Sequence, residues 1–326
     1  MGLQPEDKRV LITPLFHIAG NTHFRSSLYV GGCSIILKFF DPAATLQIIQ
    51  DERATLMDFV STHLAAMLNL PDLAKYDISS MKFLWYGASP MPQELLKRRL
   101  KVFGPIFAQG YGQSESGPAI SHLSREDHDV IDRPEAEQKK LMSAGRPDIG
   151  VQVRIVNDEG NDVEPGEVGE IRVRSQHIMV EYWHKPEDTK ASIIDDWLRT
   201  GDMGYFDEEG YIYITDGKKD MIISGGENIY PREVEEVLYR HPAVQEAAVI
   251  GIPDPYWVEK VHAVVTLKKD EGVTAKEIIA FCKKSLAGYK VPKSVELVEA
   301  LPKNPAGKVL KRELREKYWA GTDRKI

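Results

Sequence analysis

From residue 10 to about 112, short apolar runs that end in glycine or proline alternate with longer stretches of helical period, the pattern of parallel strands joined by helices. The runs predict strands at 10–13, 34–38, 56–60, 82–86 and 106–109. Asp41 followed by Pro42 predicts a capped helix over 43–52, and Pro92 opens another over 93–103. From 151 to 216 the period changes. Val151-Gln-Val-Arg-Ile-Val156 and Ile171-Arg-Val-Arg174 alternate strictly, and Asn157-Asp-Glu-Gly160 and Asp207-Glu-Glu-Gly210 supply tight turns, so this stretch predicts an antiparallel subdomain. Beyond Asp216 the mixed α/β pattern returns. It predicts a strand at 220–223, a Gly225-Gly226 turn, a helix from Pro231 to His241-Pro242, and strands near 244–250 and 261–267. A helix at 274–286, a strand at 294–298 and a helix at 309–319 follow. The turn Gly217-Lys218-Lys219-Asp220 is the natural boundary before this part. Segment 122–143 is charged and aperiodic and reads as a solvated loop or helix with no chemistry.

Composition changes this picture little. A chain of 326 residues predicts two domains, and a net charge of -7 offers no basic field to a nucleic acid. Cys33 and Cys282 stand alone, without Cys or His at ligand spacing, which argues against a zinc site or a disulfide framework and fits a reducing, cytoplasmic setting. No apolar run reaches the roughly 18 residues of a transmembrane helix.

Candidate chemistry gathers where the predicted strands end. Leu84-Trp85-Tyr86 runs into Gly87-Ala88-Ser89-Pro90, and Phe107-Ala108-Gln109 into Gly110-Tyr111-Gly112-Gln113-Ser114-Glu115. In an open parallel sheet ligands bind beyond the carboxyl ends of the strands. Glycine admits close approach, Tyr111 offers a flat face and Glu115 offers hard oxygens for Mg²⁺. Each loop alone also reads as a strand-ending turn. Asp202, in Trp197-Leu-Arg-Thr-Gly-Asp202, has a carboxylate that can accept both hydroxyls of a ribose, although Gly-Asp is a common turn. Pro302-Lys-Asn-Pro-Ala-Gly-Lys308 presents one lysine on a stiff loop. His17 ends an apolar strand, where a structural histidine is as good a reading as a catalytic one.

In order along the chain, Pro14-Leu-Phe-His-Ile-Ala-Gly20, Tyr86-Gly-Ala-Ser-Pro90, Tyr111-Gly-Gln-Ser-Glu115, Gly145-Arg-Pro147, Gly169-Glu-Ile171, Trp197 to Asp202, Lys219-Asp-Met-Ile-Ile-Ser-Gly-Gly-Glu-Asn-Ile-Tyr-Pro231 and Pro302 to Lys308 resemble the signature of the adenylate-forming (AMP-binding) superfamily, nearest its acyl-CoA synthetase and fatty-acid–CoA ligase branch. The resemblance covers nearly the whole chain. It implies an α/β large domain over 1–217, with a β-rich subdomain at about 145–216, and a small mobile α/β domain over 218–326 with a hinge near Lys219. It implies that a carboxylic acid, ATP and coenzyme A meet in one crevice with Mg²⁺: an acyl-adenylate forms, then a thioester. By the same resemblance Gly87, Ala88, Ser89, Tyr111, Gly112, Gln113, Ser114, Asp202 and Lys308 bind the nucleotide, and Glu115 binds the metal. Lys308 is the adenylation lysine, His17 lines the junction of acyl and nucleotide pockets, and Ser224, Gly225, Gly226 and Glu227 line the coenzyme A tunnel.

Two departures qualify the expectation. The family's Ser/Thr/Gly-rich phosphate loop belongs upstream of Pro14, and no loop here replaces it. The chain is therefore expected to resemble the carboxyl-terminal portion of a longer synthetase, amino-terminally truncated, with exposed apolar surface, doubtful isolated activity and room for a complementary amino-terminal chain. Gly217 stands where the family usually has arginine. A non-catalytic fragment that retains AMP or coenzyme A binding, and an adenylation module serving a carrier protein, stay open. So does the acid itself, because Met57, Phe59, Met67 and Trp85 read equally as core or as acyl tunnel.

Overall fold

Asp41 supplies the oxygen that a helix start needs: its Oδ1 accepts from Ala44 N at 2.8 Å, while Pro42 occupies a first-turn position that requires no N–H. The helix it caps belongs to a computed structural model that describes residues 2–87, 91, 93–217, 219–269, 271–305 and 307–320. Three sheets organise it.

The first sheet contains β1 (Lys8–Leu11), β2 (Cys33–Ile36), β3 (Leu56–Phe59), β4 (Phe83–Gly87), β5 (Phe107–Gln113), β6 (Gly117–Leu123) and β7 (Arg146–Pro147), in the order β2-β1-β3-β4-β5-β6-β7. Pairing is parallel from β2 to β5 and antiparallel from β5 to β7. The connections include α1 (Ile18–Val30), α2 (Pro42–Glu52), α3 (Ser61–Leu68), α4 (Gln93–Phe103), α5 (Arg125–His128) and α6 (Glu135–Gln138). On one face Val10, Met57, Phe59, Leu84, Tyr86 and Phe107 meet Leu46, Ile49, Leu64, Met67, Leu96 and Leu100 in a single buried cluster. Met57, Phe59 and Met67 are thus core residues. Trp85 points to the other face, beside Phe83 and Ala108.

Beneath α1 that other face is polar. Arg9 is fully buried, with Nη1 2.6 Å from Asp58 Oδ1, Nε donating to Ser27 Oγ at 3.1 Å, and His23 Nδ1 3.2 Å from the same Asp58 oxygen. Apolar side chains in and around α1 and β2 instead face outward: Phe16, Leu28, Tyr29, Ile36 and Phe39 are all exposed.

The second sheet is antiparallel, as the alternation predicts: β8 (Gln152–Val156), β9 (Gly169–Arg174), β10 (Ile193–Ile194), β11 (Trp197–Phe206) and β12 (Ile212–Gly217), in the order β10-β11-β9-β8 with β12 on β11. Between β9 and β10 lies α7 (Pro186–Ser192). The third sheet holds β13 (Ile222–Ser224), β14 (Glu227–Ile229), β15 (Val244–Asp254), β16 (Val258–Leu267) and β17 (Ser294–Leu297), with α8 (Pro231–Tyr239), α9 (Ala275–Cys282) and α10 (Lys311–Trp319). Its cores draw only on residues of this part, among them Ile222, Val237, Val249, Val264, Ile278 and Leu314.

Several expectations are corrected. β5 runs on to Gln113, because Tyr111 and Gln113 pair with Ser121 and Gly117 of β6; the glycines at 110 and 112 lie within the strand and not in a loop beyond it. Segment 122–143 is not simply solvated. It begins in β6, and His128, Val130 and Leu141 are buried. The last helix starts at Lys311 and not at 309, because Val309 bridges to Lys303.

Candidate functional site

Trp85 of β4 explains why β5 carries glycine at 110: a Cβ there would stand 2.3 Å from the indole, and one at Gly87 would stand 2.6 Å from the Gly110 carbonyl oxygen. These close approaches carry β5 straight past β4 to Tyr111 and Gln113. Both side chains converge on Asp202 of β11. Tyr111 Oη donates to Asp202 Oδ2 at 2.8 Å, and Gln113 Nε2 donates to the same oxygen at 3.0 Å and to the Thr200 carbonyl at 2.8 Å. Burial pushes the Tyr111 phenol up, reinforced by the Asp202 charge, so it remains a donor.

Asp202 pairs across the sheet with Gly217 of β12. A Cβ at Gly217 would lie 4.0 Å from Asp202 Oδ1 and 3.5 Å from Asp220 Oδ2, in ordinary contact with both carboxylates and without a clash. Burial pushes the Asp202 carboxyl above the ordinary carboxylate value; the Tyr111 hydroxyl, the Lys308 ammonium and the Gln113 amide oppose the rise, and Asp216 adds to it. Lys308 is exposed, on a loop that closes on itself: Asn304 Oδ1 accepts from Lys308 N, and Asn304 N donates to Lys308 O, each at 2.9 Å. Its charge therefore acts on Asp202 from the part of the chain that holds the third sheet.

Glu115 lies in the turn from β5 to β6, which Ser116 Oγ closes by accepting from Gln113 N at 2.9 Å. Tyr182 Oη donates to Glu115 Oε1 at 3.0 Å. Among the described residues no group of three or more His, Cys, Asp or Glu could hold a metal, and Glu115 offers its carboxylate from this turn. That donor set fits Mg²⁺, which usually takes one or two carboxylates and completes its shell with substrate phosphates and water. Gly112 and Ser114 flank this turn, with Ser114 exposed. Ala88 and Ser89 lie outside the described residues.

His17 is the N-cap of α1. Its Nδ1 accepts from Ala19 N at 3.3 Å, and burial lowers its pKa, so the ring is a neutral acceptor at that atom. Ser224 to Glu227 form the β13–β14 hairpin, where Gly225 and Gly226 adopt φ of 60° and 88°, the left-handed pair that a two-residue hairpin turn requires. Gly225 N donates to the Trp257 carbonyl at 2.9 Å. Lys219 is exposed in the turn after β12, and its carbonyl accepts from Arg315 Nη1 at 3.4 Å. The structure thus gathers Tyr111, Gln113 and Asp202 through hydrogen bonds, with the Lys308 charge lowering the Asp202 pKa and Glu115 two residues from Gln113; among the described residues no hydrogen bond joins the Ser224–Glu227 hairpin to them.

Sequence reasoning missed three supports. Tyr182 sits in a stretch with no period, so nothing marked it. Arg232, after Pro231, donates Nη1 to the Ile214 carbonyl at 2.6 Å and Nη2 to the Met142 carbonyl at 3.2 Å. Lys311 lies 2.9 Å from Glu235 Oε1 and 3.5 Å from Asp216 Oδ2; burial alone would lower its pKa, but these carboxylates raise it and hold it charged. Among the described residues no helix is long and apolar enough to cross a membrane.

Residues 1–183 match the AMP-binding enzyme family, and residues 233–308 match the AMP-binding enzyme C-terminal domain. The chain is 40% identical to the medium/long-chain-fatty-acid–CoA ligase FadD8 of Mycobacterium tuberculosis over 99% of this chain and 56% of that protein. It is 43% identical to a long-chain-fatty-acid–CoA ligase of Bacillus subtilis over 95% of this chain and 54% of that protein. Among solved structures, the amide bond synthetase McbA from Marinactinospora thermotolerans superposes with a TM-score of 0.88 at 35% identity, covering 96% of this chain and 62% of that one. The chain spans between about half and three fifths of the length of these relatives. With a family match over more than half its residues and the ordered motifs in place, the chain belongs to the AMP-binding enzyme family.

Proposed function

We propose that the chain forms the nucleotide-binding and lysine-bearing part of an ATP-dependent acyl-CoA ligase acting on a carboxylic acid, of fatty-acid type. In the first step a carboxylate oxygen attacks the α-phosphorus of ATP and the bond to pyrophosphate breaks. In the second the thiol of coenzyme A attacks the acyl carbon and AMP leaves. The observation that carries this reading is the convergence of Tyr111 and Gln113 of β5 on Asp202 of β11, with the Lys308 charge acting on the same carboxylate from a separate part of the chain.

Asp202, with Oδ2 already held by two donors, accepts the hydroxyls of a ribose. Tyr111 and the backbone at Gly87 and Gly112 border the base and the α-phosphate. The first step brings anion to anion, so its transition state needs fixed positive charge; Lys308 supplies it from the exposed loop. Glu115 would hold Mg²⁺, which when bound neutralises phosphate charge. Gly217 ends the larger domain and Lys219 acts as the hinge, about which the small domain withdraws Lys308 and brings the Ser224–Glu227 hairpin to the acceptor. The fatty-acid ligases among the relatives favour a thiol acceptor; the likeness to an amide bond synthetase supports only the activation step.

Calorimetric titration of the 326-residue chain with AMP tests the reading. Saturable binding is expected, with Asp202→Asn weakening it about tenfold to a hundredfold, the worth of a charge-assisted hydrogen bond. Unchanged binding in Asp202→Asn would overturn the nucleotide reading. Lys308→Ala should leave AMP binding within about twofold, because its role lies in the developing charge of the transition state.

A further inference from the structure

The short helix α5 links the two sheets that meet at Asp202. On one side, Tyr86 is fully buried at the end of β4, one residue before Gly87, and its Oη lies 2.9 Å from His128 Nε2 with the rings edge to face. His128 Nδ1 lies 2.6 Å from the Ser124 carbonyl oxygen. A carbonyl can only accept, so Nδ1 carries the proton, Nε2 is bare, and the Tyr86 hydroxyl must donate. Burial lowers the His128 pKa to about 4, so this arrangement is neutral and fixed at physiological pH.

On the other side, Asp127 Oδ2 accepts from Ser124 N at 3.1 Å and from Ser124 Oγ at 2.9 Å, while Asp127 N donates to Ser124 Oγ at 3.2 Å, a reciprocal cap that makes the four-residue helix rigid. The other oxygen, Oδ1, accepts from Tyr211 Oη at 2.6 Å, and Lys140 Nζ lies 3.5 Å from it. Tyr211 directly precedes β12, whose far end faces Asp202 through Gly217. One chain of contacts therefore runs from the end of β4 through Tyr86, His128, Ser124, Asp127 and Tyr211 to the strand beside Asp202.

We propose that the Ser124–His128 helix is a strut that sets the spacing between the β4 end at Gly87 and Asp202, so that His128, Asp127, Tyr86 and Tyr211 are positioning residues for nucleotide binding although none of them borders the nucleotide. This rests on the nucleotide reading above. The side-chain polar atoms of all four are engaged in these contacts, and their effect is transmitted through geometry. Because the contacts are in series, breaking either end releases the same constraint.

The test uses Tyr86→Phe, Tyr211→Phe and the double variant, each of which removes one hydroxyl and keeps the ring. AMP affinity is measured by calorimetry well below the melting temperature, with folding verified by circular dichroism and Asp202→Asn as the control. Each single variant is expected to bind AMP about fivefold more weakly, the worth of one net hydrogen bond. The double variant should be no more than about twofold weaker than either single one. Wild-type affinity in both single variants, even with lowered melting temperatures, would overturn the strut and leave the helix a purely structural element. A double variant weakened by the product of the single effects would also overturn it, since the bonds would then act independently. If the wild-type chain fails to bind AMP, or Asp202→Asn binds as the wild type does, the nucleotide reading falls and the strut with it; the wild-type and Asp202→Asn titrations separate that failure from a failure of the strut alone.

Discussion

The molecule has two seams, built of different material. Between the first and second sheets, Tyr111, Ile120 and Ala144 pack against Ile155, Ile171, Val173 and Ile212 in one buried apolar cluster. Between the second sheet and the third the described hydrogen bonds and ion pairs include Arg232 to the carbonyls of Ile214 and Met142, and Lys311 to Asp216. Among the described residues, the clusters of the third sheet include none from the other two. An apolar seam cannot open without exposing its surface to water, whereas water can replace polar partners one by one. Asp202 and Tyr111 therefore stay together, while the part of the chain that carries Lys308 is docked through contacts that can be exchanged.

The contrast is open to attack from both sides. Ile171→Ala, at a fully buried position of the dry seam, should cost about 4 kcal/mol in urea unfolding of the part containing the first two sheets. It should leave cleavage at the 217–220 turn under native conditions little changed. Arg232→Ala removes contacts across the polar seam and should loosen it by about 2 kcal/mol, a rise of roughly thirtyfold in limited proteolysis at that turn. Equal effects of the two substitutions on proteolysis would erase the distinction.

The smallest effect sharpens the contrast at the point where the seams meet. Gly217→Arg adds a cationic side chain whose Cβ would stand 4.0 Å from Asp202 Oδ1 and 3.5 Å from Asp220 Oδ2, without a clash. Burial raises the Asp202 pKa, so acidification protonates it above the ordinary carboxylate range and AMP affinity falls as pH falls. The added cation favours the carboxylate. Affinity near neutrality should rise about threefold, and the loss on acidification should move to lower pH, as read by titration across the acidic range. A loss that stays at the same pH would show that Gly217 does not face this carboxylate.

Much of the fold was legible because its signals are local. Asp41-Pro42, Pro231 and the Gly225-Gly226 pair each settle a cap or a turn within a few residues, and the alternation at 151–156 and 171–174 identifies half-buried strands without any knowledge of the partner. Helix α1 was not legible. Its buried positions include His23 and Ser27, facing Arg9 and Asp58, while Leu28 and Tyr29 point outward, so a search for an apolar face finds none. Segment 122–143 failed for a related reason: it is held by the Ser124–Asp127 cap and by His128, and charge dominates its composition. At the site, residue types pointed to Asp202, Tyr111 and Glu115, but their convergence depends on the β5–β6 and β11–β12 registers, which no single stretch encodes. Tyr182 and Arg232 act entirely across such registers.

The self-contained packing of residues 222–319 also bears on the order of assembly. These residues leave the ribosome after the other two sheets and bury their own apolar surface, so the hairpin that Asn304 closes around Lys308 can form without a template from the rest of the chain. The lysine would then arrive at the carboxylate already presented on a finished tool, and docking would become a late collision between two folded bodies in place of a step in their folding.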